Sequence, residues 1–355
     1  MSDAITYRAF LLELPLRSPI PVGGQQWQSR PVVLMRGEDQ NGNVAWGEAA
    51  PLDGYGPDRL DQVIGSFTAP DTAPETPSLA PTLACAMGTV RLGLRAAGAD
   101  VRLGDLLGRI EQEEFRPAHL GSETTDVQGK HVVKIKVGIK SQVEVDRVSH
   151  MLSLNAHRNV RLDGNGQLSK EDALQFLDRL GAYRDRIEYF EEPFPGCFAS
   201  DHRSDFPVPL AIDESLDSDN WRNADVCVIK PSLMGDPLDT MTLASDMQHE
   251  GRRVVVSSAF ESAVGMTMLS WVAACLGDAA PGLGTYRYIA DDLGGRSNLW
   301  DVDSVKVTDL PPYPVVSDAA LKSAHTAALG YAGSTGQNAL HIEELTIREG
   351  SWLTR

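Results

Sequence analysis

Five charged side chains recur through the middle of this sequence, each near the end of a short apolar run: Lys136 in HVVKIKVG, Asp163 in NVRLDG, Glu191 in RIEYFEE, Asp213 in VPLAIDES and Lys230 in ADVCVIKP. Side chains of an extended chain alternate between two faces. Lys134 therefore shares a face with Lys136, while Val133, Ile135 and Val137 take the other. By the same rule Arg161 goes with Asp163, Tyr189 with Glu191, Ala211 with Asp213 and Val228 with Lys230. If the branched face packs on helices, the charged face is left to an interior. Singly, each group has an ordinary explanation. A Lys-x-Lys is the wet face of an edge strand, an acid after a strand is a turn or helix cap, and a lysine after an apolar run snorkels. Together they say more. Acids on three consecutive strands, with lysines on the strands before and after, converge on one point. Unrelieved, that convergence is costly, and a hard divalent cation with oxygen ligands relieves it. Three carboxylates that leave positions open suit Mg²⁺, with Mn²⁺ as a substitute.

A cation held by three acids with an amine on each side fits one reaction class: removal of a proton from the carbon next to a carboxylate. The proton is weakly acidic, and the cation stabilises the enediolate left behind. A lysine serves as base if its pKa is brought down. Lys134 beside Lys136, and the metal, would both do that.

The elements that must position these groups follow from the texture of the chain. Residues 5–50 read as antiparallel strands, with a hairpin at Asn41-Gly42. A proline-rich loop covers 70–81, and Thr82 then caps a helix through LACAMGTVRLGLRAAG. From about 115 the pattern changes to short apolar strands followed by helices at 142–154, 170–180, 236–249 and 261–276, with PGLGT as a last strand. Strand–helix repeats of this kind indicate a parallel sheet, and with so many units a closed barrel is favoured over an open one. No glycine-rich dinucleotide fingerprint follows an early strand. The expected architecture is α/β: a (β/α)7β TIM-like barrel over 113–311 and an N-terminal α+β capping domain over 1–112, to which 312–355 returns. In such barrels the chemistry sits at the C-terminal ends of the strands.

Composition narrows the partners. The 49 acidic and 32 basic residues give a formal charge of −17, which repels phosphate backbones, and no basic stripe offsets it. Neither nucleic acid nor a membrane is expected as a partner, since no apolar run approaches the ~20 residues of a bilayer span. Residues 1–17 alternate like a strand and lack the layout of a signal peptide. Cys85, Cys197, Cys227 and Cys275 are far apart with no C-x-x-C; Cys85, Cys227 and Cys275 fall in apolar patterns that read as buried thiols, and a cytoplasmic location follows. The segment DGNGQLSKED looks like part of an EF-hand, but Arg161 would stand where the loop's first carboxylate belongs, so that reading is rejected. The sequence contains no H-E-x-x-H, no G-x-S-x-G and no phosphate-binding G-x-x-x-x-G-K-[ST], and its eight histidines are scattered.

The ordered set KIKVG, RLDGNG, FEEP, AIDES and VIKPSLMGD resembles the enolase superfamily, in the branch with lysines on the second and sixth barrel strands. WGEAAPL, the KPSLMG context, SSAFESAVG and PGLGT narrow the resemblance to the o-succinylbenzoate synthase family over about 45–290. The resemblance implies Asp163, Glu191 and Asp213 as metal ligands, with Glu191 rather than Glu192 in the ligand position. It implies Lys136 as base, Lys134 as its pKa-tuning neighbour, and Lys230 opposite, steadying the enediolate. The substrate would be a small-molecule carboxylate, 2-succinyl-6-hydroxy-2,4-cyclohexadiene-1-carboxylate, dehydrated to o-succinylbenzoate for menaquinone or phylloquinone synthesis. Ser257, Ser258 and the Gly282 backbone resemble the region that binds the succinyl side, although a strand-end Ser and a turn Gly are equally ordinary. Arg161 takes a supporting place, with a structural ion pair as the equal alternative. PIPVGGQQW (19–27) has the glycines of a hinged lid. Racemases of N-acylamino acids, dipeptide epimerases and muconate cycloisomerases share the scaffold, and two facing lysines suit racemisation equally well. The Asp-x-Asp of the epimerases is missing from PGLGTYRY, where Asp291-Asp292 come later and adjacent. An inactive barrel acting as a binding protein is the non-enzymatic alternative, disfavoured because buried charges without a use are destabilising. A monomer and a homo-oligomer are both compatible with the sequence.

Overall fold

The structure is a computed structural model that describes residues 5–22, 25–68, 79–121, 131–138, 142–154, 159–278, 280–290, 293, 299–300, 303–316, 321 and 343–345. Asp291-Asp292, the glycines at 23–24 and most of the proline-rich stretch lie outside them. Strands β1 (Thr6–Val22), β2 (Gln25–Glu38) and β3 (Val44–Ala49) form an antiparallel sheet. The β2–β3 hairpin turns where expected: Gly42 takes φ +82, and the Asp39 carboxylate accepts the Asn41 and Asn43 N–H groups at 2.9 Å. The segment read as a loop at 19–27 is mostly strand. Ile20, Pro21 and Val22 of β1 pair with Trp27, Gln26 and Gln25 of β2 beyond an irregularity after Pro15. The ladder resumes beyond that register shift, and the glycines read as a hinge, at 23–24, lie outside the described residues.

Helices α1 (Leu60–Thr68), α2 (Pro81–Ala99) and α3 (Leu103–Leu107) follow, and β4 (Glu114–Phe115) closes this part of the chain. Thr82 is not the cap of α2. The helix begins one residue earlier at Pro81, which has no N–H to satisfy, and Ala80 is its N-cap without a side-chain bond. Asp58 supplies the missing acceptor from outside, taking the Thr82 N–H at 3.1 Å and its hydroxyl at 2.6 Å.

The remainder is a parallel sheet in consecutive order: β5 (His119–Leu120), β6 (Val132–Lys136), β7 (Asn159–Asp163), β8 (Ile187–Glu191), β9 (Leu210–Ile212), β10 (Val226–Ile229) and β11 (Arg253–Val256). Between them lie α4 (Gln142–Ser153), α5 (Lys170–Leu180), α6 (Pro231–Met234) and α7 (Pro237–His249), and α8 (Ala263–Leu276) follows β11. The caps agree with the sequence chemistry: Ser169, Asp236 and Ser262 accept the N–H groups of Asp172, Leu238 and Val264. The face partition also holds. Val133, Ile135, Leu162, Phe190, Ile212, Cys227 and Ile229 join the outer core with the helices, while Tyr189, Ala211, Val226, Val228 and Val255 cluster inside the curled sheet.

PGLGT is not a full strand. Only Pro281 and Gly282 bridge, but they bridge both ways: Gly282 N–H donates to Val256 at 2.7 Å on the β11 side, and Ala118 N–H donates to Pro281 at 2.8 Å on the β5 side. The chain then turns over into a helical turn, because Gly284 passes so near Ala118 that a Cβ would stand 2.7 Å from its carbonyl oxygen. Two final strands return to earlier parts: β12 (Val305–Lys306) pairs with β4, and β13 (Glu343–Leu345) pairs antiparallel with Ala9–Leu11 of β1. All four cysteines are buried free thiols. Among the described residues no helix is long and apolar enough to cross a membrane.

Gly47 of β3 is pressed against α2, where an added Cβ would overlap the Ala86 carbonyl. Backbone cannot give way as a side chain can. Gly47→Ala is expected to lower unfolding stability in urea by about 1–3 kcal/mol, the usual cost of overpacking.

Candidate active site at the strand ends

The strand register sets the groups side by side. Lys136 lies opposite Asp163, Asp163 opposite Glu191, and Glu191 opposite Ala211, two residues before Asp213. They open into a cleft of about 880 Å³ at the C-terminal ends of the strands. All ten site residues expected from the sequence line it: Lys134, Lys136, Arg161, Asp163, Glu191, Asp213, Lys230, Ser257, Ser258 and Gly282.

Its floor is strongly charged. Lys134 Nζ stands 3.0 Å from Asp163 Oδ2 and 2.5 Å from Glu191 Oε1. Lys230 pairs with Asp213. Glu191, Asp213 and Glu214 each offer an oxygen within 4.8 Å of the others, the one such cation-capable group among the described residues. Asp163 is not in that trio; its carboxylate is engaged by Lys134 and by the Asn165 N–H at 3.2 Å. Glu191 Oε2 is buried and has no hydrogen-bond partner among the described residues. Burial pushes the Glu191 carboxyl well above the usual range, with Asp163 and Asp213 adding to Lys134's failure to offset it. Burial also raises Asp213, but Lys230, Glu191 and Lys134 together outweigh it and leave that carboxyl below its ordinary value. Burial would lower the Lys134 ammonium, yet Glu191 and Asp163 hold it well above the lysine norm. An orphaned buried oxygen among mutually repelling acids is what a divalent oxygen-seeking cation would satisfy, so the donor set fits one.

Three contributors escaped the sequence reading. Glu214 follows Asp213 and by strict alternation belongs on the opposite face, but β9 ends at Ile212, so alternation no longer governs either acid. Tyr55 arrives from the segment after β3, donating its hydroxyl towards Asp213 at 3.4 Å and Glu214 at 3.2 Å, with Lys230 Nζ 5.1 Å from its ring. Burial and the surrounding carboxylates keep that phenol protonated. Glu192, at φ +40, folds back so that one oxygen accepts Asp213 N–H at 2.9 Å, Ser215 N–H at 3.0 Å and the Ser215 hydroxyl at 2.7 Å. It tethers the turn that carries Asp213. The Glu-Glu pair was the available signal: one acid faces the cleft, the other staples the neighbouring strand end.

Lys136 is exposed at the mouth of β6, and its ammonium makes no ion pair among the described residues. Arg147 of α4 fixes its backbone by donating to the Lys136 carbonyl at 2.7 Å. Ser258 bonds to the Gly282 carbonyl at 2.9 Å and to Thr285 at 2.6 Å, which ties β11 to the closing rung. Arg161 lies beneath the acids, fully buried, its guanidinium 2.9 Å from Glu188 and 5.1 Å from the Tyr189 ring. A register shift after Val160 brings Glu188 to it, and Arg253 pairs with the same carboxylate.

A model of the enolase C-terminal domain-like family matches residues 119–287. The chain is similar to an o-succinylbenzoate synthase of Thermosynechococcus vestitus, 30% identical over 73% of this chain and 85% of the relative. Among solved structures it is similar to an o-succinylbenzoate synthase from Thermosynechococcus elongatus with Mg in the active site: 25% identity, TM-score 0.63, 81% of this chain and 94% of that one. An N-succinyl Arg/Lys racemase from Bacillus cereus shares the fold, with TM-score 0.75 over 91% of this chain and 98% of that one, at 20% identity.

The pair under the floor has a pH signature. Burial would raise the Glu188 carboxyl, but Arg161 and Arg253 outweigh it and hold it below its ordinary value. A depressed acid stabilises the fold above its unfolded pKa and loses that contribution as pH falls through its folded pKa. Glu188→Gln should therefore cost up to about 3 kcal/mol near neutrality. The gap to wild type, read by urea unfolding across a pH series, should close as pH falls below the ordinary carboxylate range.

Proposed function

Because this chain belongs to the o-succinylbenzoate synthase family of the enolase superfamily, we propose that it is a metal-dependent lyase. It would dehydrate 2-succinyl-6-hydroxy-2,4-cyclohexadiene-1-carboxylate to o-succinylbenzoate, on the way to menaquinone or phylloquinone. One observation carries the reading. Lysines from β6 and from the end of β10 enter one cleft around a carboxylate cluster that includes a buried oxygen with no partner among the described residues.

Asp163, Glu191 and Asp213 would hold Mg²⁺, or Mn²⁺ in its place, with Glu214 near enough to join them. When bound, the ion offsets the charge that develops on the substrate carboxylate as its α-proton leaves. The chain's own groups do the rest. Lys136, exposed at the mouth of β6, takes the α-proton and gives it to the departing hydroxyl on the same face. One C–H and one C–O bond break, the ring becomes aromatic and water leaves. Lys230, paired with Asp213 beneath the Tyr55 ring, steadies the anionic intermediate from the other side. Lys134 keeps Asp163 and Glu191 aligned. Aromatisation drives the elimination, so the protein's share is positioning and charge stabilisation.

The test is turnover of the diene carboxylate with Mg²⁺, followed by absorbance. Lys136→Ala is expected to lose about 10²–10⁴-fold in kcat, the range for a general acid–base group. Chelation of the metal should abolish turnover, and added Mg²⁺ should restore it. A wild type that never turns over, or an unaffected Lys136→Ala, rejects the mechanism. Exchange of the α-proton of N-acylamino acids without dehydration would favour a racemase instead. A second measurement probes the tether. Glu192→Ala should weaken Mg²⁺ binding about 10–100-fold by titration calorimetry, as loss of a group that orients a ligand does.

A further inference from the structure

Phe260, in the turn between β11 and α8, has φ +63, a left-handed backbone conformation that a bulky L side chain resists. A glycine would sit there freely. The surroundings hold the strained turn from every side. Arg30 of β2, fully buried, donates to the Phe260 carbonyl at 3.3 Å and the Ala259 carbonyl at 3.3 Å, while its other donors reach Pro51 and Ala50 at 2.5 Å each. Glu261 accepts the Ala259 N–H at 2.6 Å and the Ser232 hydroxyl. Glu48 of β3 accepts the Ser262 N–H at 3.0 Å and the Gly265 N–H at 2.9 Å. The outcome is an aromatic residue that lines the same cleft as Ser257 and Gly282, its ring edge-on to Tyr288 with ring centres 5.9 Å apart. It packs with Ile20, Val22 and Leu52, the apolar side of the same cleft.

We propose that Phe260 is a specificity-determining residue: with Tyr288 it forms an aromatic wall for the partly apolar acyl arm of the substrate, and Arg30 is the positioning residue that holds that wall in place. A ring serving only to fill a core would be buried away from the cleft, in a backbone that suits it. Phe260 is half-buried, borders the cleft, and keeps a conformation that costs it. The wall belongs to the apolar cluster with Ile20, Val22 and Leu52, and Phe260 carries no ionisable group, so it contacts the arm while proton transfer stays with the lysines. This inference rests on the dehydratase reading for the identity of the arm.

The experiment compares wild type with Phe260→Gly, Phe260→Tyr and Arg30→Lys, measuring KM, kcat, o-succinylbenzoate binding by calorimetry, Mg²⁺ affinity and melting temperature. Glycine accepts φ +63 without penalty, so Phe260→Gly should fold. Its KM and its Kd for o-succinylbenzoate should rise tenfold or more, with kcat within threefold and Mg²⁺ affinity unchanged. Phe260→Tyr, which keeps the ring, should restore both constants. Arg30→Lys should raise KM in the same direction with kcat retained. Unchanged KM and Kd in Phe260→Gly overturns the proposal, as does a fall confined to kcat. Wild type that binds Mg²⁺ and o-succinylbenzoate but turns nothing over would sink the dehydratase reading alone, and the Kd comparison would still decide the role of Phe260.

Discussion

Mutual repulsion among buried carboxylates is the constraint around which this structure is arranged. Glu191 and Asp213 are buried where solvent screens little, and the exposed Glu214 brings a third carboxylate oxygen within 4.8 Å of theirs. Left alone they would spread apart or take up protons. Instead each is restrained from behind: Glu191 by Lys134, Asp213 by Lys230 and by the Glu192 tether on its backbone, Glu214 by the Tyr55 hydroxyl and by Asn165 at 2.8 Å. The ladder from β6 to β9 prevents the strands from separating. A frame that keeps like charges close is preorganised for a cation and for an anion that arrives with it.

A second charged layer lies below. Arg161, Glu188 and Arg253 fill the interior under the acids, with Tyr189 between the two guanidinium groups. Arg161 gives Nε and one Nη to Glu188 and places a positive charge beneath the floor. The N-terminal sheet contributes from above. Tyr55 and Leu52, which follow β3, and Ile20 and Val22 of β1 line the cleft, while Arg30 and Glu48 clamp the sheet to the β11–α8 turn. The site is thus completed by segments more than a hundred residues away in sequence.

What the sequence revealed and what it concealed divide along physical lines. Wherever a rule acts over one or two residues, the reading held: the period-two faces of β6 to β10 and the glycine turn at Gly42. Where the partner is remote, it did not. Thr82 looks like a cap because Asp58, the actual acceptor, is 24 residues upstream. Glu214 looks outward-facing because nothing in AIDES marks where β9 stops. Tyr55 carries no local mark at all; only the folded chain brings it to Asp213. The segment 19–27 shows the same limit: its glycines suggested a loop, while the pairing of Ile20, Pro21 and Val22 is set by a partner strand.

The circle of strands is completed by a rung of two residues, Pro281 and Gly282, bonded to β11 on one side and to Ala118 on the other. That makes the last stave the least committed of the series, and it stands next to the part of the cleft where Ser257, Ser258 and Phe260 gather. Substitutions there can reshape the pocket while the ladders that support the charged floor go untouched. A scaffold so divided offers natural variation a cheap route to new substrates: the chemistry is inherited with the strands, and the choice of molecule is renegotiated at the seam.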